Sequence, residues 1–197
     1  MELVHKAGCR PSILGVFPGS FNPPTRAHIA LAHAALSKVD EVLFVLPRAF
    51  PHKDYRGGTL EERIGMLAAS IAGEARFSVG VTDGGLFIEI ARECRSHYPD
   101  AKLLFLCGRD AAERIAGWNY GHPDAFQSML DEFELLVAPR SGHYDPPPAL
   151  KGRTQALQVE NLDEVSSTEV RERIRLGKDW RRLVPEPIQE TVVRIYS

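Results

Sequence analysis

Ile13-Leu14-Gly15-Val16-Phe17-Pro18-Gly19-Ser20-Phe21-Asn22-Pro23-Pro24-Thr25-Arg26-Ala27-His28 decides the fold, because an apolar run passes through a turn bounded by glycine and proline straight into a helix. The run at 13–17 has the unbroken hydrophobicity of a strand buried on both faces, as in a parallel sheet. Residues 29–36 are rich in alanine and leucine, and Thr25 stands where it can cap their helix, which puts His28 on the first turn. Backbone N–H groups and the positive end of the helix dipole favour an anion there, and an imidazole adds one more donor. The plain alternative is that Pro-Pro-Thr only starts a helix and His28 is a packed core histidine.

Outward from this stretch, strand-like and helix-like segments alternate. Strands are expected at 42–46, 77–81, 102–107 and 133–138, with a last short one near 155–159. Helices are expected at 59–72 and 86–97, and another starting at 111. Such β-α-β alternation predicts an α/β fold with a doubly wound parallel sheet, helices on both faces and a ligand crevice at the carboxyl ends of the strands. The suspected site residues fall at those ends: His28 after the first strand, His52 and Lys53 after the second, Gly108-Arg109-Asp110 after the fourth and Arg140 after the fifth. Tyr144-Asp145-Pro146-Pro147-Pro148 reads as a surface loop. Trp180, Arg181 and Arg182 read as a solvated segment beside a helix. His33, His97 and His143 belong to no motif and read as surface or packing residues.

Composition narrows the class. With 197 residues, 44% hydrophobic and 25% charged, the chain suffices for one well-buried domain, 1–197. A formal net charge of −2 argues against a general nucleic-acid surface, so local basic residues must do any phosphate binding. The chain has no apolar run of spanning length and no signal-like start, which reads as a cytoplasmic protein without a membrane partner. Cys9, Cys94 and Cys107 are widely spaced with no C-x-x-C pair, and so suggest neither a disulfide framework nor a zinc site. Cys94 and Cys107 read as core fillers.

Val165-Ser166-Ser167-Thr168-Glu169-Val170-Arg171 suggests a second anion site in a small C-terminal helical segment from about 161 to 197. Ser166 with Glu169 three residues on is a capping box, which many helices use with no ligand present. Ser167 and Thr168 add hydroxyls at the same helix start, and Arg171 offers a planar fork suited to phosphate oxygens.

Gly19-Ser20-Phe21-Asn22-Pro23-Pro24-Thr25-Arg26-Ala27-His28 resembles the (His/Thr)-x-x-His signature of the nucleotidylyltransferase superfamily, with Thr25 in the first position. Ser166-Ser167-Thr168-x-x-Arg171 is similar to the triphosphate element of the mononucleotide adenylyltransferases. Pro51-His52-Lys53, Arg63-Ile64-Gly65-Met66-Leu67, Gly108-Arg109-Asp110 with Trp118, Arg140-Ser141-Gly142 and Leu183-Val184-Pro185 resemble, in order, segments of the nicotinate or nicotinamide mononucleotide adenylyltransferases. The resemblance runs from about residue 14 to 196. It implies a Rossmann-like fold and adenylyl transfer from ATP to a pyridine mononucleotide, releasing pyrophosphate, in NAD biosynthesis. It leaves room for a homo-oligomer.

By the same resemblance, His28 and Arg171 are catalytic. Gly19, Ser20, Phe21, Thr25, Gly108, Asp110, Ser167 and Thr168 join them in binding ATP, and Asn22, Lys53, Phe87, Trp118 and Arg140 bind the mononucleotide. Lys53 is suited to a 5′-phosphate, Asp110 to ribose hydroxyls and Trp118 to stacking on a pyridine ring; Arg140 can bind phosphate or support the fold. Mg²⁺ is expected on the substrate phosphates, with no all-protein metal cage.

Nicotinate-specific members commonly carry a Tyr-Thr pair where this chain has Phe87-Ile88, which leaves the choice between nicotinate and nicotinamide open. Pantetheine-phosphate adenylyltransferase has a similar opening, against which stand Asn22, Ala27 and the Gly-x-Asp...Trp element. A non-catalytic nucleotide-binding protein would keep the glycine turn, whereas His28, Lys53 and Arg171 together point to chemistry. Replacing His28 by alanine is expected to lower turnover by a factor on the order of 10² to 10³, as losing one preorganised donor does. Steady-state rates within threefold of the parent, on protein still folded by circular dichroism, would sink that role.

Overall fold

The computed structural model describes residues 1–49, 57–117, 125–138, 144–157, 159 and 165–197. Its elements are β1 (Glu2–His5), β2 (Ile13–Pro18), α1 (Arg26–Ala35), β3 (Glu41–Pro47), α2 (Leu60–Ser70), β4 (Phe77–Thr82), α3 (Phe87–Arg95), β5 (Lys102–Gly108), α4 (Arg109–Gly117), α5 (Ala125–Glu132), β6 (Glu134–Ala138), β7 (Thr154–Ala156), α6 (Ser167–Arg175) and α7 (Gln189–Tyr196). Three short 3-10 turns, at Pro148–Leu150, Arg181–Leu183 and Glu186–Ile188, complete the order.

The strands form one seven-stranded sheet in the order β1-β4-β3-β2-β5-β6-β7. All neighbours run parallel except β1, which pairs antiparallel with β4. From β2 in the middle, the chain steps out through β3 to β4, crosses back to β5 and continues through β6 to β7. This is the doubly wound Rossmann-like order, whose direction reverses between β2 and β5, and ligands of such sheets lie outside the carboxyl ends at that reversal. Val16 is level with Phe105 in the β2–β5 register, so the turn after Pro18 and the strand end at Gly108 leave the sheet at neighbouring places.

Side chains alternate across the sheet because successive residues of a strand face opposite ways. Leu103, Phe105 and Cys107 of β5 pack on one face with Ile90 and Cys94 of α3, Ala112 of α4 and Met129 of α5. Leu104 and Leu106 go to the other, with Ala32 and Ala35 of α1 and Leu67 of α2. Helices thus cover both faces. Cys94 and Cys107 are buried core residues, and burial pushes both thiols up to about 12, which removes them as nucleophiles.

Two elements carried no sequence signal. Strand β1 is short and mostly exposed, so it shows no alternation to read. Helix α5 owes its stability to burying Met129 and Leu130 rather than to length. Trp180 corrects an expectation: it is only 6% exposed and belongs to a third cluster that joins Met66 of α2 to Val170 of α6 and Val192 of α7. Arg181 lies over its ring at 5.2 Å, so the arginine covers the indole while keeping its charge in water. That cluster seats the C-terminal helices on α2.

Phe105 is fully buried, with the rings of Phe87 and Phe133 at 4.7 and 4.5 Å. Phe105→Ala is expected to cost about 3 to 5 kcal/mol of stability, read as a lower urea midpoint at unchanged slope.

Candidate active site

The turn from β2 to α1 is held in one shape by close contacts. The Gly19 N–H donates to Val45 O at 3.0 Å, and a Cβ at Gly19 would come within 2.8 Å of the Phe21 ring. Phe21 has φ +46°, a left-handed conformation that a bulky residue adopts at a cost on the order of 1 to 3 kcal/mol. Its ring offsets this by packing edge-on against Phe17 and Phe44 at 5.4 and 5.5 Å, with 1% of the residue exposed. The turn's carbonyls meet donors from other elements. Arg63 Nη1 of α2 donates to Ser20 O at 3.0 Å, Arg171 Nη1 of α6 to Asn22 O at 2.5 Å, and Ser167 Oγ to Pro23 O at 2.8 Å.

Helix α1 begins with a reciprocal cap. Thr25 Oγ1 accepts from the His28 N–H at 3.4 Å, while the Thr25 N–H donates back to His28 Nδ1 at 3.0 Å. A backbone N–H can only donate, so Nδ1 is an acceptor and the ring proton sits on Nε2. Phe17 and Phe21 flank the imidazole, with ring centroids 6.0 and 5.2 Å away. Thr25 is fully buried, so its side chain orients His28 instead of facing a ligand.

Arg171 also donates to Thr168 Oγ1 at 3.2 Å, so helix α6 presents that hydroxyl and a guanidinium together. Ser166 caps α6 by accepting from the Glu169 N–H at 3.1 Å. The expected box is only half made, because the Glu169 carboxylate instead takes Arg173 Nε at 2.5 Å. Through Arg171 and Ser167 the two sequence motifs meet at one place, the first at the reversal of the sheet and the second docked against it.

Across the crevice, β5 ends at Gly108, where a Cβ would meet nothing within 4 Å, and Asp110 is exposed on the first turn of α4. These open positions suit a ligand's approach. Phe87 goes elsewhere: its ring stacks on Phe105 as part of the core, so the expectation that it faces the mononucleotide is not what the geometry favours. The physical reason is its place at the start of α3, where an apolar ring finds Phe105 and Phe133 directly beneath. Asn22 is 4% exposed, and its Oδ1 accepts from the Gly58 N–H at 3.2 Å and from the Tyr196 hydroxyl. Its side chain therefore serves the protein's own framework. His52, Lys53, Trp118 and Arg140 lie outside the described residues.

Sequence reasoning passed over Arg63 and Tyr196 as site residues. Arg63 is 2% exposed and clamps two segments, giving Nη2 to Pro47 O at 3.5 Å as well as Nη1 to Ser20 O. A signal existed: Arg63 shares the buried face of α2 with Met66 and Leu67, and a buried arginine needs acceptors.

This geometry is that of a nucleotide-binding crevice, and comparison with known proteins agrees. The cytidylyltransferase-like family model matches residues 16–173, and the chain belongs to that family. It is 32% identical over 191 residues to a probable nicotinate-nucleotide adenylyltransferase of Gloeobacter violaceus, covering 89% of this chain and 90% of the relative. A second relative of the same name, from Salinibacter ruber, is 31% identical over 188 residues, covering 89% and 92%. Within the family the chain therefore stands with the nicotinate-nucleotide adenylyltransferases. Its fold is similar to that of the Plasmodium falciparum nicotinic acid mononucleotide adenylyltransferase complexed with NaAD, with a TM-score of 0.69 at 16% identity over 91% of this chain and 96% of that one.

Substituting Arg63 by methionine keeps the length and removes the donors to Ser20 O and Pro47 O. It is expected to cost about 1 to 3 kcal/mol, the penalty of leaving buried acceptors unmade, and to lower turnover because Ser20 belongs to the turn. Unchanged melting and unchanged kcat would show that the clamp has no part in the site.

Proposed function

We propose that the chain transfers the adenylyl group of ATP to nicotinate mononucleotide, giving the dinucleotide and pyrophosphate in NAD biosynthesis. The observation that carries this reading is the 32% identity, spanning nearly the whole of both chains, to a relative of that name. The mononucleotide phosphate attacks the α-phosphorus of ATP in line, forming the new P–O bond as the bond to pyrophosphate breaks. No enzyme nucleophile is needed, and the protein's work is positioning and charge neutralisation. His28 Nε2–H donates to an α-phosphate oxygen, in keeping with the tautomer set by the Thr25 N–H. Arg171, with Ser167 and Thr168 beside it, holds the departing pyrophosphate. Gly108 admits the nucleoside, Asp110 accepts ribose hydroxyls, Lys53 and Arg140 take the acceptor phosphate, and Trp118 stacks on the pyridine ring.

In this reading residues 1–197 act as one nucleotidylyltransferase domain. Mg²⁺ would be held chiefly by the oxygens of the triphosphate itself and, when bound, would supply charge neutralisation there. Among the described residues no group of three His, Cys, Asp or Glu is placed to hold a metal, and a phosphate-held ion needs none. Among those residues no helix is long and apolar enough to cross a membrane.

Pyrophosphate release is measured with Mg²⁺ and ATP across nicotinate mononucleotide, nicotinamide mononucleotide and phosphopantetheine. Nicotinate mononucleotide is expected to be preferred, by less than about a hundredfold over the amide because Phe87-Ile88 brings no hydroxyl to the discrimination. Arg171→Ala is expected to raise KM for ATP more than for the mononucleotide. Turnover of phosphopantetheine alone would overturn the reading.

A further inference from the structure

Asn22 is the residue on which three separated parts of the chain converge. Its carbonyl takes Arg171 of α6, and its side-chain Oδ1 takes the Gly58 N–H and the Tyr196 hydroxyl from the last turn of α7. The fit is close: a Cβ at Gly57 would fall 2.4 Å from Asn22 Oδ1, and Gly57 has φ +145°, so only glycine suits that place. At 4% exposure the Asn22 amide has little access to water, and its oxygen depends on protein donors.

The Tyr196 hydroxyl is not what seats α7. Val192, fully buried, and Ile188 at its N-cap bind that helix to Met66 and Val184. The hydroxyl instead reaches across the fold to a residue whose carbonyl aims the guanidinium proposed to receive the leaving phosphates. The bonds to Oδ1 anchor the residue whose backbone carbonyl receives Arg171, so losing the hydroxyl holds that carbonyl less firmly in place. Taking the adenylyl transfer proposed above as the reaction, we infer that Tyr196 is a positioning residue for it, acting through Asn22 on Arg171 and the β2–α1 turn. The C-terminal helix is thereby a working part of the phosphate site, beyond its role as packing.

The test is a double-mutant cycle on the full chain: the parent, Tyr196→Phe, Asn22→Ala and the pair, assayed well below the lowest melting midpoint of the four. Tyr196→Phe is expected to lower kcat by a factor of roughly 3 to 10, the size of one lost hydrogen bond, with its melting midpoint nearly unchanged. In the Asn22→Ala background the same change is expected to lower kcat no further, because the two residues act as a unit. A kcat equal to the parent's, or a full drop that persists without Asn22, overturns the assignment. Should Asn22→Ala not fold, calorimetric binding of α,β-methylene ATP decides: affinity about threefold weaker in Tyr196→Phe supports the role, and equal affinity overturns it. A parent that adenylates another phosphate acceptor removes the nicotinate reading alone, since the cycle is then read on that acceptor.

Discussion

The turn between β2 and α1 directs its carbonyls into the protein, and each of them needs a donor. A turn has no strand ladder of its own to satisfy those oxygens, and a buried acceptor left unmade is costly. Arg63 of α2 and Arg171 of α6 supply guanidinium N–H groups, and Ser167, also of α6, supplies a hydroxyl. The remaining architecture follows from bringing them there. Helix α2 lies against the sheet so that Arg63 reaches Ser20, and the C-terminal cluster rests on α2 so that α6 can place Ser167 and Arg171.

In the proposed reaction, the same turn lets a protein with a formal net charge of −2 gather phosphates. Its positive character is local. It comes from the start of α1, the Nε2–H of His28 and the fork of Arg171, all in a crevice where the sheet reverses direction. Thr25 sharpens this by keeping His28 Nδ1 an acceptor, which leaves Nε2–H as the donor the proposed reaction would use. The strained φ of Phe21 belongs to this arrangement, since its ring packs beneath the imidazole it helps to place.

Much of the fold was legible because its signals are local. Runs such as Val42-Leu43-Phe44-Val45-Leu46 and Leu103-Leu104-Phe105-Leu106-Cys107 are hydrophobic on both faces, as only central strands are. The cap at Thr25 was readable for the same reason, as its partners lie within one turn. The antiparallel edge strand at the start was not, because a short exposed strand has no pattern apart from its neighbour. Trp180 misled because the arginines around it suggest solvent, while an indole flanked by charge can still be buried under their side chains.

The sequence by itself determined the strand-turn-helix junctions, the places of the core strands along the chain and the residue types that could meet phosphates. These depend on periodicity, capping and turn chemistry, which act over a few residues. Only the tertiary structure decided which of those residues face the crevice and which support it. Phe87 stacks in the core because Phe105 and Phe133 wait below it, and Asn22 turns inward because Gly58 and Tyr196 offer donors there. Such choices are made by contacts between segments far apart in the chain, Asn22 and Tyr196 being 174 residues apart, and no local preference encodes them.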